Sequence, residues 1–212
     1  MKRIAAILAA ALTLSCGSLP DLRPVNDYDA RHLRAKCASS FLAAQWRFIH
    51  SIEAALPNGD RGSMMGVTVA DPVTRSIHCV IMTIEGLVLF EAKSGADMQV
   101  MRAIPPFDNM SFARSLMDDV SLVYFEPAME PYAGKVDECS VCRYKDKVFT
   151  VDLLAKGGGW EIRKYSQGKS LIRVVKASDL TEDGLPRKIH LRAPGMPGYS
   201  LFLNLIEAER VK

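Results

Sequence analysis

Between Trp46 and Ala103 the chain carries five short apolar runs separated by turn-forming clusters, and this rhythm limits its fold more than any other feature. Trp46, Phe48, Ile52 and Ala54 alternate with Gln45, Arg47, Ser51 and Glu53, the two-residue repeat of a strand with one buried face. Pro57-Asn58-Gly59-Asp60 ends that strand. Runs at Met64 to Ala70, Ile77 to Thr83, Leu87 to Ala92 and Met98 to Ala103 follow, set apart by Asp71-Pro72, Glu85-Gly86 and Lys93-Ser94-Gly95. Separators this short make neighbouring strands pair as antiparallel hairpins, so the segment is expected to be a meander.

Helical spacing brackets this segment. Before it, Ala30 to Ala44 is Ala-rich, with Leu33, Cys37 and Phe41 four residues apart, which predicts a helix with one apolar face. After Pro105-Pro106, Phe112, Leu116 and Val120 recur every four residues, Met117 and Val123 widen the stripe, and Asn109 stands where an N-cap belongs. Strand patterns resume at Lys147 to Leu154, Trp160 to Tyr165, Leu171 to Ala177, Lys188 to Arg192 and Tyr199 to Glu207.

The first residues resemble an export signal. Lys2 and Arg3 precede an apolar run from Ile4 to Leu14, then Ser15, Cys16 and Gly17. Eleven apolar residues make a helix of roughly 16 Å, about half of a hydrocarbon core, so cleavage is expected and not a permanent span. A cysteine where the apolar run ends resembles the lipobox of bacterial lipoproteins, although Thr13 and Leu14 depart from its usual residues. That resemblance implies acylation of Cys16. The alternative is an ordinary cleaved signal that contains a cysteine. The resulting division is a signal at 1–15, a lipidated tether at 16–29, and one domain at 30–212. Without Lys2 and Arg3 the net charge falls from +3 to +1 (3 − 2), which argues against a nucleic-acid partner.

Short motifs yield no catalytic constellation, cofactor or metal site. Cys139-Ser-Val-Cys142 is not a haem attachment site, because Arg143 follows where His is required. It also lacks a second cysteine pair or paired histidines for zinc. The two cysteines are expected in a loop, as a disulfide or as free thiols; the pairing of Cys37 and Cys79 stays open. Gly168-Lys169-Ser170 reads as a polar turn, since Arg163 stands where a phosphate-binding loop needs its first glycine. Gly157-Gly158-Gly159 reads as a hairpin connection, and Asp118-Asp119 as solvated carboxylates on the helix's polar side.

The order of these elements is similar to that of the LolA/LolB-like lipoprotein superfamily, over roughly Phe41 to Ala208. The likeness rests on Met65-Gly-Val through Leu-Phe-Glu91, on Arg102-Ala-Ile-Pro-Pro106, on Gly184-Leu-Pro-Arg187, and on Ile189-His-Leu191 followed by Tyr199-Ser-Leu-Phe-Leu203. It implies a mainly β (α+β) domain: a curved, unclosed antiparallel barrel-like sheet with helices covering its mouth and an apolar cavity inside. The implied function is binding or transfer of acyl chains, lipid or lipoprotein, without catalysis, by a protein held at the outer membrane through Cys16 and facing the periplasm. Trp46, Phe48, Met65, Val67, Phe90, Phe112, Leu116, Val120 and Phe202 are the expected cavity lining, with plain core as the competing reading. Seven methionines, Met64, Met65, Met82, Met98, Met101, Met110 and Met117, fall in the same region, and their adaptable side chains suit an apolar guest. LolB-like acceptors present an exposed hydrophobic residue on an early loop; the turns taken to correspond, Pro57 to Gly62 and Asp71 to Ser76, hold Val73 and no Leu. The competing functions are a structural or accessory lipoprotein with a side-chain-filled core and, third, an enzyme acting on lipid or glycan.

Overall fold

A computed structural model describes residues 17–55, 61–105, 107–195 and 198–211. The signal segment with Cys16, the breaker residues 57–60 and Pro106 lie outside the described residues. In chain order the elements are β1 (Arg23–Pro24), α1 (Asp27–Ala38), β2 (Trp46–Ala55), β3 (Arg61–Asp71), β4 (Ser76–Met82), β5 (Val88–Ser94), β6 (Gln99–Ala103), α2 (Met110–Tyr124), β7 (Tyr132–Val136), β8 (Cys139–Lys145), β9 (Phe149–Lys156), β10 (Gly159–Ser166), β11 (Leu171–Leu180), β12 (Pro186–Ala193) and β13 (Tyr199–Arg210).

Among the described residues thirteen strands join one antiparallel sheet in the order β1-β7-β8-β9-β10-β11-β12-β13-β2-β3-β4-β5-β6, with β1 and β6 at its unclosed edges. The expected five-strand meander is β2 to β6. Helix α2 then carries the chain across the concave face, and a second meander returns from β7 until β13 pairs with β2, Leu203 opposite Ile52 and Arg210 opposite Trp46. This one long-range pairing turns two meanders into a single curved sheet.

Parity and register decide which side chains face inward. Phe48 pairs with Thr68, Thr68 with Cys79 and Cys79 with Ala92, and paired residues share a face. That face, with Phe90, Leu153, Ile162, Val175 and Ile189, forms one buried cluster with Cys37 of α1 and Leu116, Met117 and Val123 of α2. Burying each such side chain contributes about 1.5–3 kcal/mol. Helix α2 has the expected bounds and cap: the Asn109 side chain accepts from the N–H groups of Ser111 (2.9 Å) and Phe112 (3.2 Å).

Several expectations need correction. The first helix starts at Asp27, where the Asn26 side chain accepts from Asp29 N–H at 2.9 Å, and it stops at Ala38, short of Ala44. Strands β7 and β8 were not expected. Cys139 and Cys142 therefore lie on a strand, not in a loop, and Cys142 is disulfide-bonded to Cys37 of α1, 105 residues away. Three residues apart on a strand, Cys139 and Cys142 point to opposite faces; Cys139 is exposed with a free thiol, as Cys79 is inside. The segment 17–24 is no free tether, because it lies along the sheet through a Ser18–Ser170 bridge and strand β1. The hairpin reading of Gly157-Gly158-Gly159 agrees with the β9–β10 turn: Gly158 has φ +75°, and a Cβ on Gly159 would meet the Ala177 carbonyl oxygen at 2.0 Å.

Candidate functional site

Strands β2 to β4, β12 and β13 curve beneath α2 without filling the space against it. A cavity of about 390 Å³ remains. Ile52, Ile81, Leu191, Leu201 and Leu203 form its sheet wall, and Phe112, Leu116 and Val120 of α2 its roof. At its inner end sit His50, Cys79 and Tyr124, all buried, with Tyr124 stacked on Phe48 at 4.7 Å between ring centroids. The outer rim is Arg61, Gly62, Ser63 and Pro105, all exposed. The site is thus a mainly apolar tunnel whose exposed lining residues lie where β3 begins and before α2.

Small residues make the room. Gly66 pairs with both His50 and Ile81, and a Cβ there would come within 2.7 Å of the end of the Ile52 side chain. Thr68 lies next to it on the same face. Larger side chains at these inward positions would occupy the tunnel.

Of the nine expected lining residues, the structure brings Phe112, Leu116 and Val120 to the cavity. Phe48 and Phe90 are core beyond it, Phe90 packing on Phe107 at 5.8 Å. Met65 and Val67 have the opposite parity to Gly66 and Thr68 and face outward. Phe202 is also outward, stacked on His190 at 4.2 Å. Trp46 borders a separate hollow with Phe41, Leu42 and Trp160 at the other end of β2. Among the seven methionines, Met64 lines the cavity, Met117 is core, and Met101 and Met110 are exposed.

A polar cluster in the cavity wall escaped the sequence reading. Asp119, taken as solvated, is only 4% exposed, whereas Asp118 is outside. Arg173 Nε donates to Asp119 Oδ1 at 2.8 Å, Arg173 Nη2 donates to Ser115 Oγ at 2.7 Å, and the Tyr199 hydroxyl donates to Asp119 Oδ2. Burial pushes the Asp119 carboxyl upward in pKa, against the opposing pull of Arg173 and the Tyr199 hydrogen bond. His50 is shifted down to about 4 by burial and is neutral at pH 7. Helical spacing was the missed signal, since position 119 is seven residues after Phe112 and lies on its stripe. The cluster ties α2 to β11 and β13 with each carboxylate oxygen engaged, so it offers a latch and not a free base.

Exposed apolar residues stand in two turns of the sheet. Val73 in the β3–β4 turn is 84% exposed, and the β4–β5 turn presents Ile84 at 70% and Leu87 at 51% beside the tunnel rim residue Thr83. Among the described residues no helix is long and apolar enough to cross a membrane, and no three His, Cys, Asp or Glu side chains gather as a metal site.

No protein-family model matches the chain, and no curated protein matches it in sequence. Its fold matches the crystal structure of the LolA superfamily protein NE2245 from Nitrosomonas europaea, with a TM-score of 0.57 at 11% identity, covering 86% of this chain and 94% of that one. An outer membrane lipoprotein-sorting protein domain from Vibrio parahaemolyticus aligns over 87% of this chain and 93% of its own at 9% identity, with a TM-score of 0.47. The chain has the LolA-like fold, as the order of its elements implied.

Proposed function

We propose that this protein is an envelope lipoprotein that holds one acyl chain, of a lipid or a lipoprotein, in the tunnel beneath α2. The observation that carries the reading is the tunnel itself: a mainly apolar space left open between α2 and the sheet, lined by members of the hydrophobic core. At roughly 30 Å³ per water-sized group it accommodates about a dozen methylenes. Each buried methylene contributes about 0.8 kcal/mol, so a chain of that length offsets the cost of immobilising it. The unfilled volume disfavours a purely structural role, and the closed Asp119–Arg173–Tyr199 cluster disfavours catalysis. Acylation of Cys16 would hold the protein at a membrane, and Gly17, in place of the Asp associated with inner-membrane retention, favours the outer one.

Mass spectrometry of organic extracts from the purified protein tests the ligand. Stoichiometric acyl chains are expected, and displacement of a fluorescent fatty acid should strengthen with chain length up to about a dozen carbons, then level off. Affinity independent of chain length refutes tunnel binding. The mass of the N-terminal peptide tests acylation separately: an unmodified Cys16, or its removal with the signal, refutes the anchor.

A further inference from the structure

The segment expected to be a tether is instead a strap across the convex face. Leu171 N–H donates to the Gly17 carbonyl at 2.9 Å, and Leu19 N–H to the Lys169 carbonyl at 2.9 Å. Arg143, held by Asp152 through two 2.7 Å hydrogen bonds, donates to the Pro20 carbonyl at 2.9 Å. Leu22 covers Val136, Val141 and Leu154 before Arg23–Pro24 pairs with β7. Gly17 is thereby fixed at the β10–β11 turn.

Antiparallel register places that turn at the same end of the sheet as the tunnel rim. From Leu171 and Ser166 the ladder runs through Ala193, Tyr199 and Ala55 to Arg61 and Met82. The β4–β5 turn with Ile84 and Leu87 and the β8–β9 turn with Val148, 67% exposed, belong to this end as well. Charge follows the same polarity. Lys145, Lys147 and Lys169 mark the turns beside Gly17, with Asp146 as the acidic member of that group; Glu85 of the β4–β5 turn and Asp108 before α2 are the other exposed acidic residues in the turns of this end among the described residues. Among the described residues, the turns at the opposite end carry Asp71, Asp97, Asp137, Glu138, Glu182 and Asp183. Of the cations near them, Arg75 lies over Phe125, Lys156 pairs with Glu161 and Lys188 with Asp179, while Arg187 is exposed, so acidic residues outnumber basic ones at that end.

From the strap and this polarity we propose that the protein stands on its membrane with the tunnel mouth down, the turns of that end lying on anionic lipid headgroups. The proposal rests on the lipoprotein reading and adds an orientation to it. An acyl chain then passes between bilayer and tunnel without crossing bulk water, and the acidic end faces away from the membrane. Each lysine at an anionic surface strengthens binding about fivefold, so the three together contribute roughly a hundredfold.

The test uses the membrane-purified protein in vesicles of phosphatidylglycerol and phosphatidylcholine that carry a lipid-borne quencher. A fluorophore on native Cys139, at the acidic end, should remain unquenched, whereas one on Val148→Cys in a Cys139→Ser background should be quenched. Equal quenching at both sites, or none at Val148→Cys, overturns the orientation even when the N-terminal peptide is acylated. Cys16→Ala protein provides the arm independent of acylation. It should sediment with phosphatidylglycerol vesicles and not with phosphatidylcholine alone, and Lys145→Glu, Lys147→Glu, Lys169→Glu together should reduce that binding at least a hundredfold. Lipid-independent sedimentation, or no loss in the triple variant, overturns the headgroup contact. An unmodified Cys16 refutes the anchor without touching this second arm.

Discussion

Replacing Phe112 with alanine separates a roof that yields to ligand from one that is merely core. Phe112 is half-buried, lines the tunnel and packs edge-on against Phe107 with 5.6 Å between ring centroids. A fully buried Phe→Ala change costs about 3–5 kcal/mol, so half-burial predicts roughly 2 kcal/mol, with the lost aromatic contact contributing about 0.5–1.5 of it. For a domain of this size that lowers Tm by roughly 4–8 °C. The vacated volume adjoins the tunnel and admits two or three further methylenes, worth about 2 kcal/mol or roughly 30-fold in affinity for chains long enough to reach it. Thermal unfolding with and without saturating lipid, and titration of a fluorescent fatty acid normalised to folded protein, measure both quantities. The variant should melt lower when empty, regain much of the loss when loaded, and bind long chains more tightly than the parent. Unchanged or weaker binding per folded molecule would refute the reasoning, because α2 would then be core whose side chains ligand never replaces.

Peptide mapping under non-reducing conditions should join Cys37 to Cys142 and leave Cys79 and Cys139 free; closing a ring of about a hundred residues is worth about 4–5 kcal/mol in the chain-entropy account, so Cys142→Ser should lower the denaturant midpoint far more than Cys139→Ser. Asp119→Ala leaves the Arg173 guanidinium partly buried without its carboxylate and should cost about 3–5 kcal/mol, while Asp119→Leu with Arg173→Met should recover most of that; if the double variant is no more stable than Asp119→Ala in urea unfolding, the latch is not a pair. His50, at about 4 in the folded state against 6.5 unfolded, binds its proton later than the unfolded chain does, so its contribution is complete above pH 6.5 and is lost as pH falls towards 4. The loss is about 3 kcal/mol, and His50→Leu should flatten urea midpoints over that window; an unchanged slope would show that His50 is not buried as described.

Local pattern determined the elements of this protein, and long-range pairing determined its site. The meander of β2 to β6 and the bounds of α2 were legible because hydrophobic period, turn residues and the Asn109 cap act within a few residues of one another. Strand β8 was not, because its cysteines and charged residues look like a turn until α1 covers one face and residues 17–24 the other. Alternation marks two faces on every strand without saying which is inward. That choice was made by register, which set Gly66 and Thr68 opposite His50 and Phe48 and so turned Met65 and Val67 outward. The same holds for Arg173 and Asp119, one on a strand and one on a helix, 54 residues apart and paired only when α2 lies across the sheet. A sequence carries the periods that bury a face, but a cavity is space that packing leaves over, and only the pairing of β13 with β2 beneath α2 fixes where that space lies.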